Sequence, residues 1–119
     1  MNIKTIKKAL LECYSKDMCY KVQDNWNENN KCLGMCAITS LIINDYFGGD
    51  ICKMHIDDIS HYFNLIDNKI VDLTSSQFND EINYDDYQII DRNKMLTKDA
   101  KQRYNKLKSK LINKLLGKI

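Results

Sequence analysis

The chain has 119 residues, 44% of them hydrophobic and 29% charged, a balance that can bury a core and need not leave the chain disordered. This length fits one domain spanning residues 1–119 and excludes a full β/α barrel or a complete two-half dinucleotide fold. A net charge of +2 points to no class of partner by itself.

The charge is unevenly placed. Residues 1–49 carry 6 Lys/Arg against 5 Asp/Glu, residues 50–91 carry 2 against 10, and residues 92–119 carry 10 against 1. An acidic middle and a basic tail suggest two surfaces that attract each other. Nucleic-acid binding by the tail is the sharper reading and is not the expected one. No apolar run approaches the ~20 residues of a membrane helix. Lys4, Lys7 and Lys8 are followed by no leader-like apolar stretch, so no membrane association and a cytoplasmic location are expected.

Taken in chain order, Ile3, Ile6, Leu10 and Tyr14 are spaced as one face of an amphipathic helix over residues 2–15. Residues 21–34 are rich in Asn and Asp and predict a structured loop, pinned to the core by Trp26. Residues 35–47 are apolar around most of a helix circumference, which predicts a buried helix stopped by Gly48 and Gly49. Ile51–Ile56, His61–Ile66 and Lys69–Thr74 read as strands, the last two joined by an Asp67-Asn68 hairpin loop. Residues 79–91 are acidic, with tyrosines and isoleucines but no clear element. Residues 97–117 place Ala100, Tyr104, Leu107, Leu111 and Leu115 on one helical stripe, with lysines opposite. That helix is expected to dock on the domain and leave its lysines in water.

The hairpin carries the chemical argument. With a two-residue loop at Asp67-Asn68, side chains of His61, Phe63, Leu65, Ile70, Asp72 and Thr74 share one face. His61 and Asp72 become diagonal neighbours, roughly 7–8 Å apart at the backbone. A carboxylate beside an imidazole fixes its tautomer and stabilises its protonated form. The group such an imidazole would serve is Cys36, at the first turn of the buried helix. There the helix dipole favours a thiolate, and free backbone N–H groups can receive an oxyanion.

The odd count of five cysteines, Cys13, Cys19, Cys32, Cys36 and Cys52, argues against a disulfide framework. Cys13, Cys19 and Cys52 read as small buried hydrophobes. The rival for the others is zinc, held by Cys32, Cys36, Cys52 and His55. A buried helix between the two pairs speaks against it, so no metal and no cofactor are expected.

Several stretches together resemble a known family. They are Gly34-Met35-Cys36-Ala37-Ile38-Thr39-Ser40, Asp45-Tyr46-Phe47-Gly48-Gly49, Ser60-His61-Tyr62-Phe63-Asn64 and Val71-Asp72-Leu73-Thr74-Ser75-Ser76-Gln77-Phe78, with a weaker echo at Arg103-Tyr104-x-x-Leu107. The set resembles the bacterial YunG-like family of small uncharacterised proteins. The His-x-Phe-Asn and Asp-x-Thr pieces are also similar to the core of transglutaminase-like domains in the papain-like cysteine group. The resemblance implies Cys36 as nucleophile, His61 as base and Asp72 as the acid that orients it. Met35 stands where the family usually has Gln, and prolines usual in the family are absent around Asn27-Glu28 and Asn30-Lys31. Asn30 lies six residues before Cys36, the offset at which papain-like proteases carry their oxyanion glutamine. Asn30 and Gln77 are therefore candidate oxyanion donors, and Trp26 a candidate cleft wall.

The expectation is an α+β domain with a papain-like (transglutaminase-like) core. Its nucleophile helix packs on a small antiparallel sheet, with further helices at both ends. The expected activity is a cysteine hydrolase or acyl transferase using Cys36, His61 and Asp72 on an amide, ester or thioester of a small or peptide substrate. The alternatives are a non-catalytic module on the same scaffold that binds a protein or nucleic acid, and a structural zinc protein.

Overall fold

In a computed structural model, which describes residues 2–21 and 24–117, the elements run α1 (Ile3–Cys13), a 3-10 turn (Lys16–Met18), α2 (Cys36–Phe47), β1 (Asp50–Ile56), β2 (Ile59–Ile66), β3 (Lys69–Val71), a second 3-10 turn (Ser75–Gln77), β4 (Gln88–Ile90), α3 (Arg92–Met95) and α4 (Lys98–Leu115). The architecture is α+β. Helices lie on one side of an antiparallel four-stranded sheet ordered β3-β2-β1-β4.

Two turns build the sheet. At Asp67-Asn68 both residues have positive φ, 51° and 62°, as a type I′ turn requires. The register that follows pairs Asn64 with Val71, Leu65 with Ile70 and Ile66 with Lys69, as the two-residue loop predicts. A second turn of the same kind at Asp57-Asp58, with φ of 49° and 66°, joins β1 to β2 and pairs Ile56 with Ile59. Aspartate tolerates this left-handed region better than most residues because its short side chain can bond locally.

Strand alternation splits the sheet into two faces. Tyr62, Asn64 and Ile66 look toward α2, and the Asn64 amide donates to the Ser40 carbonyl at 3.0 Å. The main core on that side gathers Ile6, Leu10, Met18, Met35, Ile38, Leu41, Ile42 and Ile51 with Leu107 and Leu111 of α4. On the other face, Cys52, Met54 and Phe63 form a separate small cluster, covered by Ile82, Tyr84 and Tyr87 of the acidic segment. His61 lies opposite Met54 on this second face.

Helix α4 starts at Thr97, whose hydroxyl accepts from the Ala100 N–H at 3.2 Å. It lies against α1 and α2. Its Arg103 is buried, donating to the Met18 carbonyl at 3.2 Å and to Asp99 at 3.0 Å. At the end of α2, Asp45 pairs with Arg92 at 2.7 Å and accepts from the Tyr104 hydroxyl, while Arg92 also donates to the Leu41 carbonyl at 3.1 Å. This knot ties α2, α3 and α4 together. It gives Tyr104 a structural task, as the Met18 and Asp99 bonds give Arg103 and core burial gives Leu107.

Several expectations need correction. The third strand ends at Val71 rather than Thr74, because Thr74 turns back to bond the Asp72 carboxylate with its own N–H at 3.2 Å. The strand expected at Ile51–Ile56 is present as Asp50–Ile56, and its turn into β2 at Asp57-Asp58 is the part the sequence reading left out. Strand β4 and helix α3 emerge from a stretch with no readable period. The acidic middle does not attract the basic tail. Among the described residues the tail's ion pairs run to Glu12, Asp17 and Asp45 and, within α4, to Asp99, with none to residues 50–91.

Replacing fully buried Leu107 by Ala should lower unfolding free energy by about 2–5 kcal/mol, measured by urea denaturation. The same change at exposed Leu116 should stay within about 0.5 kcal/mol.

Candidate functional site

Cys36 opens α2 because the chain before it turns sharply. Gly34 has φ +72°, and a Cβ there would meet the Cys19 sulfur at 2.5 Å and the Tyr20 nitrogen at 2.7 Å. The Gly34 carbonyl instead accepts from the Tyr20 N–H at 3.0 Å. Glycine alone fits this crossing. Met35 then occupies the N-cap without a side-chain hydrogen bond to the helix. The first-turn N–H groups thus keep no side-chain cap, the state in which a helix start can receive an anion.

Cys36 is also the one partly exposed thiol. Cys13, Cys19, Cys32 and Cys52 are buried, and burial pushes Cys13 and Cys32 up and Cys52 to about 11. Burial keeps reagents from all four.

His61 is fully buried on β2. Its ring stacks on Phe63 with centroids 6.2 Å apart and meets the edge of Phe78 at 5.0 Å. Its Nε2 lies 2.6 Å from Asp72 Oδ2, so the two side chains close the diagonal gap across the hairpin. Burial alone would lower the ring's pKa. The Asp72 hydrogen bond, the Cys36 thiol and the charges of both outweigh it and raise the pKa to about 9. The Cys36 sulfur itself lies 4.0 Å from the Ser60 carbonyl, at the outer limit for a thiol. His61 Nδ1 is thereby left buried without a hydrogen bond. A buried polar atom without a partner is uncommon in folded proteins.

The carboxylate of Asp72 is heavily used. Besides His61, its Oδ2 accepts from the Tyr84 hydroxyl at 2.7 Å, and its Oδ1 accepts from the Thr74 N–H at 3.2 Å and Thr74 hydroxyl at 3.4 Å. Sequence reasoning missed Tyr84, which sits in the stretch without periodicity. The only available signal was a tyrosine among acidic residues.

Gln77 bridges two parts of the site. Its carbonyl oxygen accepts from Gly34 N–H and its amide donates to the Thr74 hydroxyl, both at 3.4 Å. It links the turn before Cys36 to the Asp72 arm. Trp26 spends its indole proton on the Lys31 carbonyl at 3.0 Å and belongs to the main core, so it pins its own loop. Asn30 lies in the same loop, its N–H donating to Asn27 and its carbonyl accepting from Leu33.

No group of three or more His, Cys, Asp or Glu side chains able to hold a metal ion is gathered among the described residues, so Cys32, Cys36, Cys52 and His55 do not come together as one. Two surface depressions of about 380 and 370 Å³ lie nearby, one lined by residues including Lys53, His55 and Asp86, the other by Ser75, Ser76, Asp80, Glu81, Ile82 and Tyr84. Tyr84 thus joins the second depression to the Asp72 carboxylate. No helix among the described residues is long and apolar enough to cross a membrane.

A family model described as YunG protein matches residues 2–116. The chain is also 41% identical over 59 residues to a protein of Bacillus subtilis (strain 168) described as uncharacterized protein YunG. That match covers 50% of this chain and 51% of the relative, so the aligned part spans about half of each. No solved structure matches.

The buried His61–Asp72 pair has a pH signature. The folded-state pKa of His61, about 9, exceeds the ordinary value near 6.5. Its stabilisation is therefore complete below about pH 6.5 and lost as pH rises through about 9. Urea unfolding should show stability falling across that window, and Asp72→Asn should flatten the slope.

Proposed function

The chain belongs to the YunG protein family, and we propose that this member is a cysteine hydrolase or acyl transferase built on a papain-like core. The observation that carries the reading is the 2.6 Å contact between His61 Nε2 and Asp72 Oδ2, with the one partly exposed thiol acting on the same ring. A protonated imidazole held by a carboxylate stabilises a neighbouring thiolate, the nucleophilic form.

In this mechanism the Cys36 thiolate attacks the carbonyl carbon of an amide, ester or thioester. A C–S bond forms, and the carbonyl electrons move onto oxygen. The oxyanion is received by the uncapped N–H groups at the start of α2; Asn30 is the side-chain candidate to join them. His61 gives its proton to the leaving group as the tetrahedral centre collapses. The acyl-thioester then meets water or an amine, from which His61 takes a proton. The second collapse releases the thiolate. Asp72 keeps the ring oriented throughout. Gln77, with both ends of its amide engaged, supports the geometry instead of contacting the oxyanion.

A binding module without catalysis is the second reading. It is favoured by the two depressions, neither of which is lined by Cys36, His61 or Asp72. Iodoacetamide separates the two. Cys36 should be alkylated first at neutral pH, and His61→Ala should slow that step about tenfold or more by removing the ion pair. Alkylation of Cys36 at the rate of an ordinary exposed thiol, indifferent to His61→Ala, sinks the catalytic reading and leaves the binding module.

A further inference from the structure

We propose that Tyr84 is a positioning residue that competes with His61 for one oxygen of Asp72 and so sets how tightly the carboxylate holds the imidazole proton. Its relevance to catalysis rests on the function proposed above; the competition itself does not.

The geometry is specific. Asp72 Oδ2 lies 2.6 Å from His61 Nε2 and 2.7 Å from the Tyr84 hydroxyl. The Asp72 side chain is 4% exposed, so solvent does little to share the load. The Tyr84 ring is itself fixed edge-on to Phe63 at 5.0 Å, and Phe63 stacks on His61. The phenol therefore reaches Asp72 from a packed position. Burial, and Asp72 beside it, push the phenol's pKa upward, so it remains a donor throughout the range in which His61 titrates.

The direction of the effect follows from which state the phenol favours. When His61 is charged, its N–H takes most of the oxygen's electron density, and the phenol's bond is weak. When His61 is neutral, the oxygen turns to the phenol and that bond strengthens. Tyr84 therefore stabilises the deprotonated ring and makes His61 a readier proton donor. The other titratable groups facing this cluster are the Cys36 thiol, which acts on His61, and Cys32, whose sulfur feels Asp72. Neither can substitute for a donor on Oδ2, since a thiolate raises the ring's proton affinity.

This assigns a task to the 79–91 segment. It brings the phenol to the carboxylate from the acidic side of the molecule, through a residue that also lines the Ser76–Glu81 depression.

The test is an NMR titration of the histidine rings. The chain has two histidines, and His55→Gln removes the exposed one from the spectrum. In Tyr84→Phe the His61 midpoint should rise by about half to one pH unit, the size expected for one lost bond to a carboxylate. A fluorotyrosine placed at position 84 alone, a stronger donor, should lower it and serves if Tyr84→Phe does not fold. In an Asp72→Asn background, Tyr84→Phe should leave the midpoint where it is. A midpoint that stays fixed or falls in Tyr84→Phe with Asp72 present overturns the proposal. The titration does not depend on Cys36 being a nucleophile. A shifted midpoint alongside alkylation indifferent to His61 would keep this inference and discard the enzyme.

Discussion

The contact between His61 and Asp72 organises the part of the molecule that can do chemistry. An imidazole with no solvent exposure is costly to charge, yet here the charged form is favoured. That reversal needs a carboxylate at hydrogen-bond distance, and the carboxylate needs donors of its own to remain ionised in a dry setting. Thr74 and Tyr84 supply them. The hairpin turn, the early end of β3 and the packing of Tyr84 on Phe63 all serve this pair. Each of them changes how the carboxylate's oxygens are shared between the imidazole and its other donors.

The sequence made the hairpin legible because its information is local. Asp67 and Asn68 are residues that accept positive φ, and a two-residue loop leaves one register. Parity then puts His61 and Asp72 on one face. The start of α2 was equally readable, since Gly34 precedes an apolar run and Gly48-Gly49 follows it. Helix α4 announced itself through a complete stripe of apolar residues.

What stayed hidden depends on contacts between distant parts of the chain. Strand β4 has three residues, too few for a period, and exists because β1 offers an edge. The Asp57-Asp58 turn uses the same chemistry as Asp67-Asn68, but its acidic pair reads as surface charge. Tyr84 shows in the sequence only as a tyrosine among acidic residues, because its meaning lies in a bond to a residue twelve positions earlier. The charge blocks misled for a related reason. Net charge along a sequence does not say which surfaces meet, and the tail's lysines found Glu12, Asp17 and Asp45 through the packing of α4 on α1 and α2.

The sheet also divides the interior in two. The cluster around Cys52, Met54 and Phe63 shares none of its buried residues with the helical core. The strands that carry this cluster also face the helices through Ile51 and Tyr62, so it does not leave the sheet as a unit, and only its cover of Ile82, Tyr84 and Tyr87 is placed to open by itself. A ligand gripping that cover would hold it closed beside the imidazole and, by binding the folded chain alone, would raise global stability as well.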